Sequence, residues 1–73
     1  MTVAEYERRL AAQGGGCAIC GRAPKTRRLD IDHSHATGEI RGLLSHRCNQ
    51  GLQMFNDNPR LLRRAADYLE GLL

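Results

Sequence analysis

Three short stretches carry most of the residue types that bind metal ions or move protons: Cys17-Ala18-Ile19-Cys20, Asp32-His33-Ser34-His35 and Ser45-His46-Arg47-Cys48-Asn49. Thiolates and imidazoles suit zinc, whereas carboxylate and amide oxygens suit harder cations such as magnesium or manganese. Taken alone, the Cys17/Cys20 pair fits half of a zinc site, a redox pair or two unrelated thiols. A redox pair wants a helix directly after it, and Gly21 and Pro24 stand there instead, so zinc is favoured. Cys48 supplies a third thiol, and Ser45 occupies the position where a second Cys-x-x-Cys would begin. A hydroxyl is a poor zinc ligand, which leaves three alternatives: His46 turns inward, a water completes the shell beside Ser45, or zinc binding is weak or lost.

The second stretch offers different chemistry. Adjacent strand residues point to opposite faces, so Asp32 and His33 can address different atoms of one reaction centre where a strand twists or ends. A carboxylate holds a divalent cation, and a neutral imidazole takes a proton from water; phosphodiester hydrolysis needs both functions. Asn49 would be drawn toward this pair if zinc pinned the Cys17/Cys20 knuckle to the segment after Ser45, and its side-chain carbonyl would then be a second oxygen ligand. By itself, an asparagine near a helix start is more often a cap, and a lone histidine such as His35 is as often merely solvated.

The elements that must position these residues follow from periodicity and capping. Thr2 and Glu5 form a capping-box pattern for a helix ending near Gln13, before Gly14-Gly15-Gly16. From Thr26 to His33, Leu29, Ile31 and His33 alternate with Arg28, Asp30 and Asp32, a strand period. Ile40 to Leu44 is a second apolar run, and the two read as an antiparallel hairpin with a broad loop. Ser45 has the chemistry of an N-cap for a short helix to Phe55, with Leu52 and Phe55 as its packing residues. Asn58 caps a last helix with Pro59 at its first position. Its stripe of Leu61, Leu62, Ala65, Ala66, Leu69, Leu72 and Leu73 is expected to pack against the first helix.

At 73 residues the chain reads as one domain with a small core, which calls for a staple. Three cysteines and no apolar run near the roughly 20 residues that cross a bilayer point to a reducing compartment, no membrane and a metal rather than disulfides. Ten arginines and one lysine against eight acids give a net charge of +3. Arginine's planar fork matches phosphate oxygens, so the balance suits nucleic acid, although many small domains carry a similar charge.

CAIC, LDIDHSHATGEIRGLL and CNQGL, followed by FNDNP and an amphipathic helix, resemble the recombination endonuclease VII family of HNH, or ββα-metal, nucleases. The resemblance implies an α+β protein: a small zinc-stapled ββα-metal fold, an antiparallel hairpin plus helix flanked by N- and C-terminal helices. It implies one HNH endonuclease domain over residues 1–73, with helices at about 2–13 and 59–73 around a core at about 17–55. Zn2+ would be held by Cys17, Cys20, Cys48 and either Ser45 or His46, and catalytic Mg2+ or Mn2+ by Asp32 and Asn49. His33 would be the general base, His35 would position or polarise the phosphate, and Arg27, Arg28, Arg41 and Arg47 would grip DNA. The implied activity is metal-dependent nicking, or weakly sequence-specific cleavage, of DNA in the cytoplasm of a bacterium or phage-infected host, with a monomer compatible. Family members carry cysteine at the position of Ser45. The rivals are a noncatalytic zinc module that binds nucleic acid or protein, and a component of a larger assembly that is active only with partners.

Overall fold

A computed structural model describes residues 1–73. Its elements run α1 (Val3–Ala12), β1 (Asp30–His33), β2 (Ile40–Leu44), α2 (His46–Met54) and α3 (Pro59–Leu69). This is the α+β arrangement expected from the sequence, a hairpin and helix between terminal helices. The caps are those the sequence indicates. Thr2 Oγ1 accepts from Glu5 N at 3.1 Å, Ser45 Oγ from Cys48 N at 3.3 Å, and Asn58 Oδ1 from Arg60 N at 2.9 Å. Each satisfies a backbone donor that the first helical turn leaves unpaired.

The two strands pair antiparallel, and their edge is closed by a side chain. Gln13, at the end of α1, accepts from Leu43 N at 2.9 Å and donates to Leu43 O at 2.9 Å and Gly16 O at 2.9 Å. Its amide thus pairs with β2 as a third strand's peptide group would, covering a sheet edge that would otherwise be open. On the approach to β1, the Tyr6 hydroxyl accepts from Leu29 N at 2.9 Å, and the Arg28 guanidinium lies 4.2 Å from the Tyr6 ring centre. α1 therefore holds both strands.

Tyr6, Cys17, Leu29, Leu43 and Leu44 form the core, with Leu10, Cys48 and Leu52 packed against it. Only Leu43 is completely shielded, and eight of 73 residues are buried. Burying one leucine contributes about 1.5–3 kcal/mol. A core of this size leaves little reserve, so the thiols within it carry structural weight.

Three expectations need correction. Regular β1 structure begins at Asp30 rather than Thr26, because β2 ends at Leu44 opposite Asp30 and earlier residues have no strand partner. α3 does not pack against α1 as core: it buries no residue, Leu61, Tyr68 and Leu69 are exposed, and the molecule is drawn out to 44 × 27 × 19 Å. α1 and α2 already cover the hairpin, so the apolar stripe of α3 finds no free core surface. Phe55 is likewise exposed, while Leu52 packs inward as expected.

Candidate active site and metal centre

The knuckle depends on a close backbone crossing. A Cβ on Gly16 would fall 2.2 Å from the carbonyl oxygen of Gly21, and Gly21 itself sits at φ +77°, in the left-handed region. Cys17 N donates to Arg22 O and Gly21 N to Cys17 O, both at 2.9 Å, while Ala18 N reaches Leu43 O at 3.1 Å. Cys48 arrives from the first turn of α2. The Cys17, Cys20 and Cys48 sulfurs all lie within 4.8 Å of one another. Ligands at about 2.3 Å from a tetrahedral zinc stand about 3.8 Å apart, so a small contraction of this triad fits the ion.

The electrostatics agree with that fit. Burial opposes ionisation of Cys17, but hydrogen bonds from the Ser45, Cys20 and Ile19 N–H groups and the Ser45 hydroxyl outweigh it and lower the thiol to about 6. At Cys48 the Ser45 hydroxyl favours the thiolate, yet burial and the neighbouring Cys17 and Cys20 sulfurs prevail and raise its pKa. A first thiolate at Cys17 thus resists a second at Cys48, a conflict that a bound cation removes. Ser45 Oγ lies 3.7 Å from Cys20 Sγ. The ring of His46 is engaged elsewhere, with Nδ1 2.8 Å from Asp30 Oδ2.

The carboxylates line up along the hairpin by strand period. Asp30 and Asp32 face one side of β1, and Asp32 is buried while Ile31 and His33 are exposed. Between Asp32 and His33 the register slips: Asp32 pairs with Gly42 but His33 with Ile40, leaving Arg41 as the extra residue of a β-bulge. Bulges re-aim side chains. Here Arg41 forks onto Asp32, with Nε to Oδ2 at 2.7 Å and a terminal nitrogen to Oδ1 at 3.0 Å. Those hydrogen bonds bind the proton on Arg41 still more firmly and raise its pKa.

Arg41 also reaches Asp57 Oδ2 at 3.3 Å, and His35 Nδ1 lies 3.6 Å from the same oxygen. Asp57 belongs to the turn between α2 and α3, where Asn56 and Asp57 both adopt φ 55°. Its other oxygen, Oδ1, is buried without a hydrogen-bond partner. Such a group costs about 1–3 kcal/mol relative to a paired one.

Asp30 gathers a second set of partners. Arg27 donates to Oδ1 at 2.8 Å, His46 Nδ1 meets Oδ2 at 2.8 Å, and Asn49 Nδ2 donates to Oδ2 at 3.3 Å. Burial opposes the charge on Asp30, but His46, Asn49 and Arg27 together lower its pKa. With its amide nitrogen committed to Asp30, Asn49 keeps Oδ1 as a free oxygen donor. Asp32 and Asn49, the expected cation ligands, are therefore engaged by different neighbours, Arg41 and Asp30. Their oxygens are nonetheless the donor type a hard cation takes.

The expected DNA-gripping cations divide between two places. Arg27, Arg28 and Arg47 line one groove with Arg22 and Lys25, beside the thiols. Arg41 is turned instead onto Asp32 and Asp57. Neither His33 nor Asp32 lines that groove. Three residues that bear on the site were not singled out from the sequence: Gln13, Asp30 and Asp57. Asp30 carried a usable signal, since it stands two residues before Asp32 and shares its strand face. Asp57 lies in FNDNP, between two expected helices, with nothing local to mark it, and nothing local marks Gln13.

A hairpin followed by a helix, with a cysteine triad at its base able to hold zinc, defines the ββα-metal class of small α+β folds. Within that class the chain belongs to the recombination endonuclease VII family, whose sequence profile matches residues 1–71. It is 46% identical over 71 residues to the Gene 59 protein of Mycobacterium phage D29, covering 94% of this chain and 43% of the relative. The Gene 59 protein of Mycobacterium phage L5 is 45% identical over 67 residues, covering 89% of this chain and 41% of the relative. The chain thus spans less than half the length of these relatives. No solved structure gives a significant match. No helix is long and apolar enough to cross a membrane.

Proposed function

We propose that residues 1–73 form one HNH-type endonuclease domain that hydrolyses DNA phosphodiester bonds with a divalent cation. Membership of an endonuclease family supports a phosphodiester hydrolase. The observation that carries the assignment of roles is the end of β1, where strand alternation leaves an exposed His33 next to a buried Asp32 and the register slips opposite them. His33 takes a proton from water through a ring nitrogen as that water attacks phosphorus. Asp32 and Asn49 Oδ1 would hold the cation, Mg2+ or Mn2+, and a bound cation would supply charge stabilisation to the phosphate and the departing 3′ oxygen. His35, with Nδ1 toward Asp57, keeps Nε2 available to polarise a phosphate oxygen. Cys17, Cys20 and Cys48 would hold zinc, with Ser45 Oγ, 3.7 Å from Cys20 Sγ, or a water as the further oxygen ligand, while His46 Nδ1 is engaged by Asp30.

The groove lined by Arg22, Lys25, Arg27, Arg28 and Arg47 takes the sugar-phosphate backbone without reading bases, so binding falls steeply with salt and depends weakly on sequence. Purified protein with Mg2+ or Mn2+ should nick supercoiled plasmid, and Asp32→Asn should stop nicking while DNA binding persists. The Asp32–Arg41 pair favours one rival, a noncatalytic zinc module, because it satisfies Asp32 without any cation. That rival requires DNA binding with no cleavage in either metal.

A further inference from the structure

We infer that Asp57 is a positioning residue of the cation site, the acceptor that takes Arg41 off Asp32 when a divalent cation binds. This rests on the reading of Asp32 as a cation ligand. Both Asp32 oxygens accept from Arg41, at 2.7 and 3.0 Å, so each has one lone pair already taken while the fork is in place and a cation would have to share the carboxylate with the guanidinium. A cation on Asp32 would also sit beside the guanidinium charge and repel it. Arg41 must therefore go somewhere, and the observations converge on one destination.

Asp57 Oδ2 is already 3.3 Å from a terminal nitrogen of Arg41, while Asp57 Oδ1 is buried and lacks a partner. A guanidinium that releases Asp32 can fork onto Asp57 with little travel and satisfy that oxygen, keeping a bidentate geometry. The turn that presents Asp57 holds two consecutive non-glycine residues at φ 55°, a conformation that side chains rarely adopt. His35 Nδ1, 3.6 Å from Asp57 Oδ2, lies next to the same destination, so movement of Arg41 is felt at the residue proposed to face the phosphate. Asp57 is in this sense a receiver for Arg41 rather than a ligand of the cation. The apparent affinity for the cation is then set by how readily Arg41 leaves Asp32, since only the fraction of molecules with Asp32 free can bind.

The test is Mn2+ binding by zinc-loaded protein, read as the dissociation constant from calorimetry or the free-Mn2+ electron paramagnetic resonance signal, with a thermal melt of each variant. Asp57→Asn should weaken Mn2+ binding about tenfold, because the amide cannot receive Arg41 as a carboxylate does. Arg41→Ala should tighten it, and in the Arg41→Ala background Asp57→Asn should change it little. Asp57→Asn that binds as wild type, a weakening that persists without Arg41, or weaker binding in Arg41→Ala would each overturn the inference. If Asp57→Asn does not fold, weaker binding in Arg41→Ala still overturns the inference. Wild-type protein that binds no Mn2+, or binds it equally well as Asp32→Asn, overturns instead the reading of Asp32 as a ligand and the inference with it.

Discussion

The three thiols and the three carboxylates around the hairpin assemble by opposite electrostatic means. Cys17, Cys20 and Cys48 converge on one another, with the cations of the adjacent groove alongside rather than paired to them, and ionising Cys17 makes ionising Cys48 harder. Asp30, Asp32 and Asp57 instead have basic neighbours: Arg27 and His46 at Asp30, Arg41 at Asp32, and Arg41 with His35 at Asp57. One cluster needs a cation from outside to resolve its own repulsion; the other is charge-balanced within the chain. The thiols should therefore govern whether the chain folds, and the carboxylates what the folded chain does.

The largest expected effect sharpens that division. Cys17→Ser or Cys48→Ser, or zinc removal by a chelator, should abolish the cooperative thermal transition. Structural zinc contributes up to about 10–16 kcal/mol in small domains, more than a core of this size can replace. Metal analysis of wild-type protein should return close to one zinc, and a stable metal-free wild type would break the comparison outright.

On the other side, His33→Ala should lower plasmid cleavage by about 10²–10⁴-fold while leaving the melting temperature unchanged, because the ring is exposed. A comparable fall in melting temperature would mean that the reactive face is also structural. Ser45→Cys, a smaller change, should tighten zinc binding by adding a thiolate beside Cys20, measured by competition with a chromophoric chelator. It should also lose part of the hydroxyl cap on Cys48 N, worth about 1 kcal/mol, so the gain in zinc affinity should exceed the gain in stability.

The smallest effect tests the internal balance. Asp30 has a lowered pKa in the folded chain, so its contribution to stability is fully present above the unfolded value near 4. That contribution disappears as pH falls through the lower folded value. Asp30→Asn should therefore reduce stability at neutral pH by about 1–3 kcal/mol and flatten the acid limb of the stability curve, measured by urea melts from pH 7 to pH 3. An unchanged acid limb would show that Asp30 is not the anchor of His46 and Asn49.

The contrast also explains what could be read in advance. The Cys17/Cys20 spacing, the caps at Thr2, Ser45 and Asn58, and the hairpin were all legible because each depends on residues close in sequence, and Cys48 was legible by its residue type, as the third thiol a zinc site needs. The stripe on α3 was legible as amphipathic but not as exposed, since what covers a face depends on how much core surface other elements leave. The bulge was not legible: the slip that leaves Arg41 as the extra residue comes from how two strands pair, and neither strand's alternation reveals it. Asp57 stayed hidden because its partners are 16 and 22 residues away, at Arg41 and His35.

The sequence by itself determined the order of elements, the class of the fold and the Cys17/Cys20 pair, since helix period, strand period, capping and Cys-x-x-Cys spacing act over a few residues; the arrival of Cys48 beside that pair was completed by the fold. Tertiary structure alone decided which neighbour each carboxylate meets. It turned His46 and Asn49 to Asp30, folded Arg41 onto Asp32 and brought Asp57 beside it. The reason is physical: a charged side chain has several candidate partners along the chain, and only the packing of helix on hairpin selects among them.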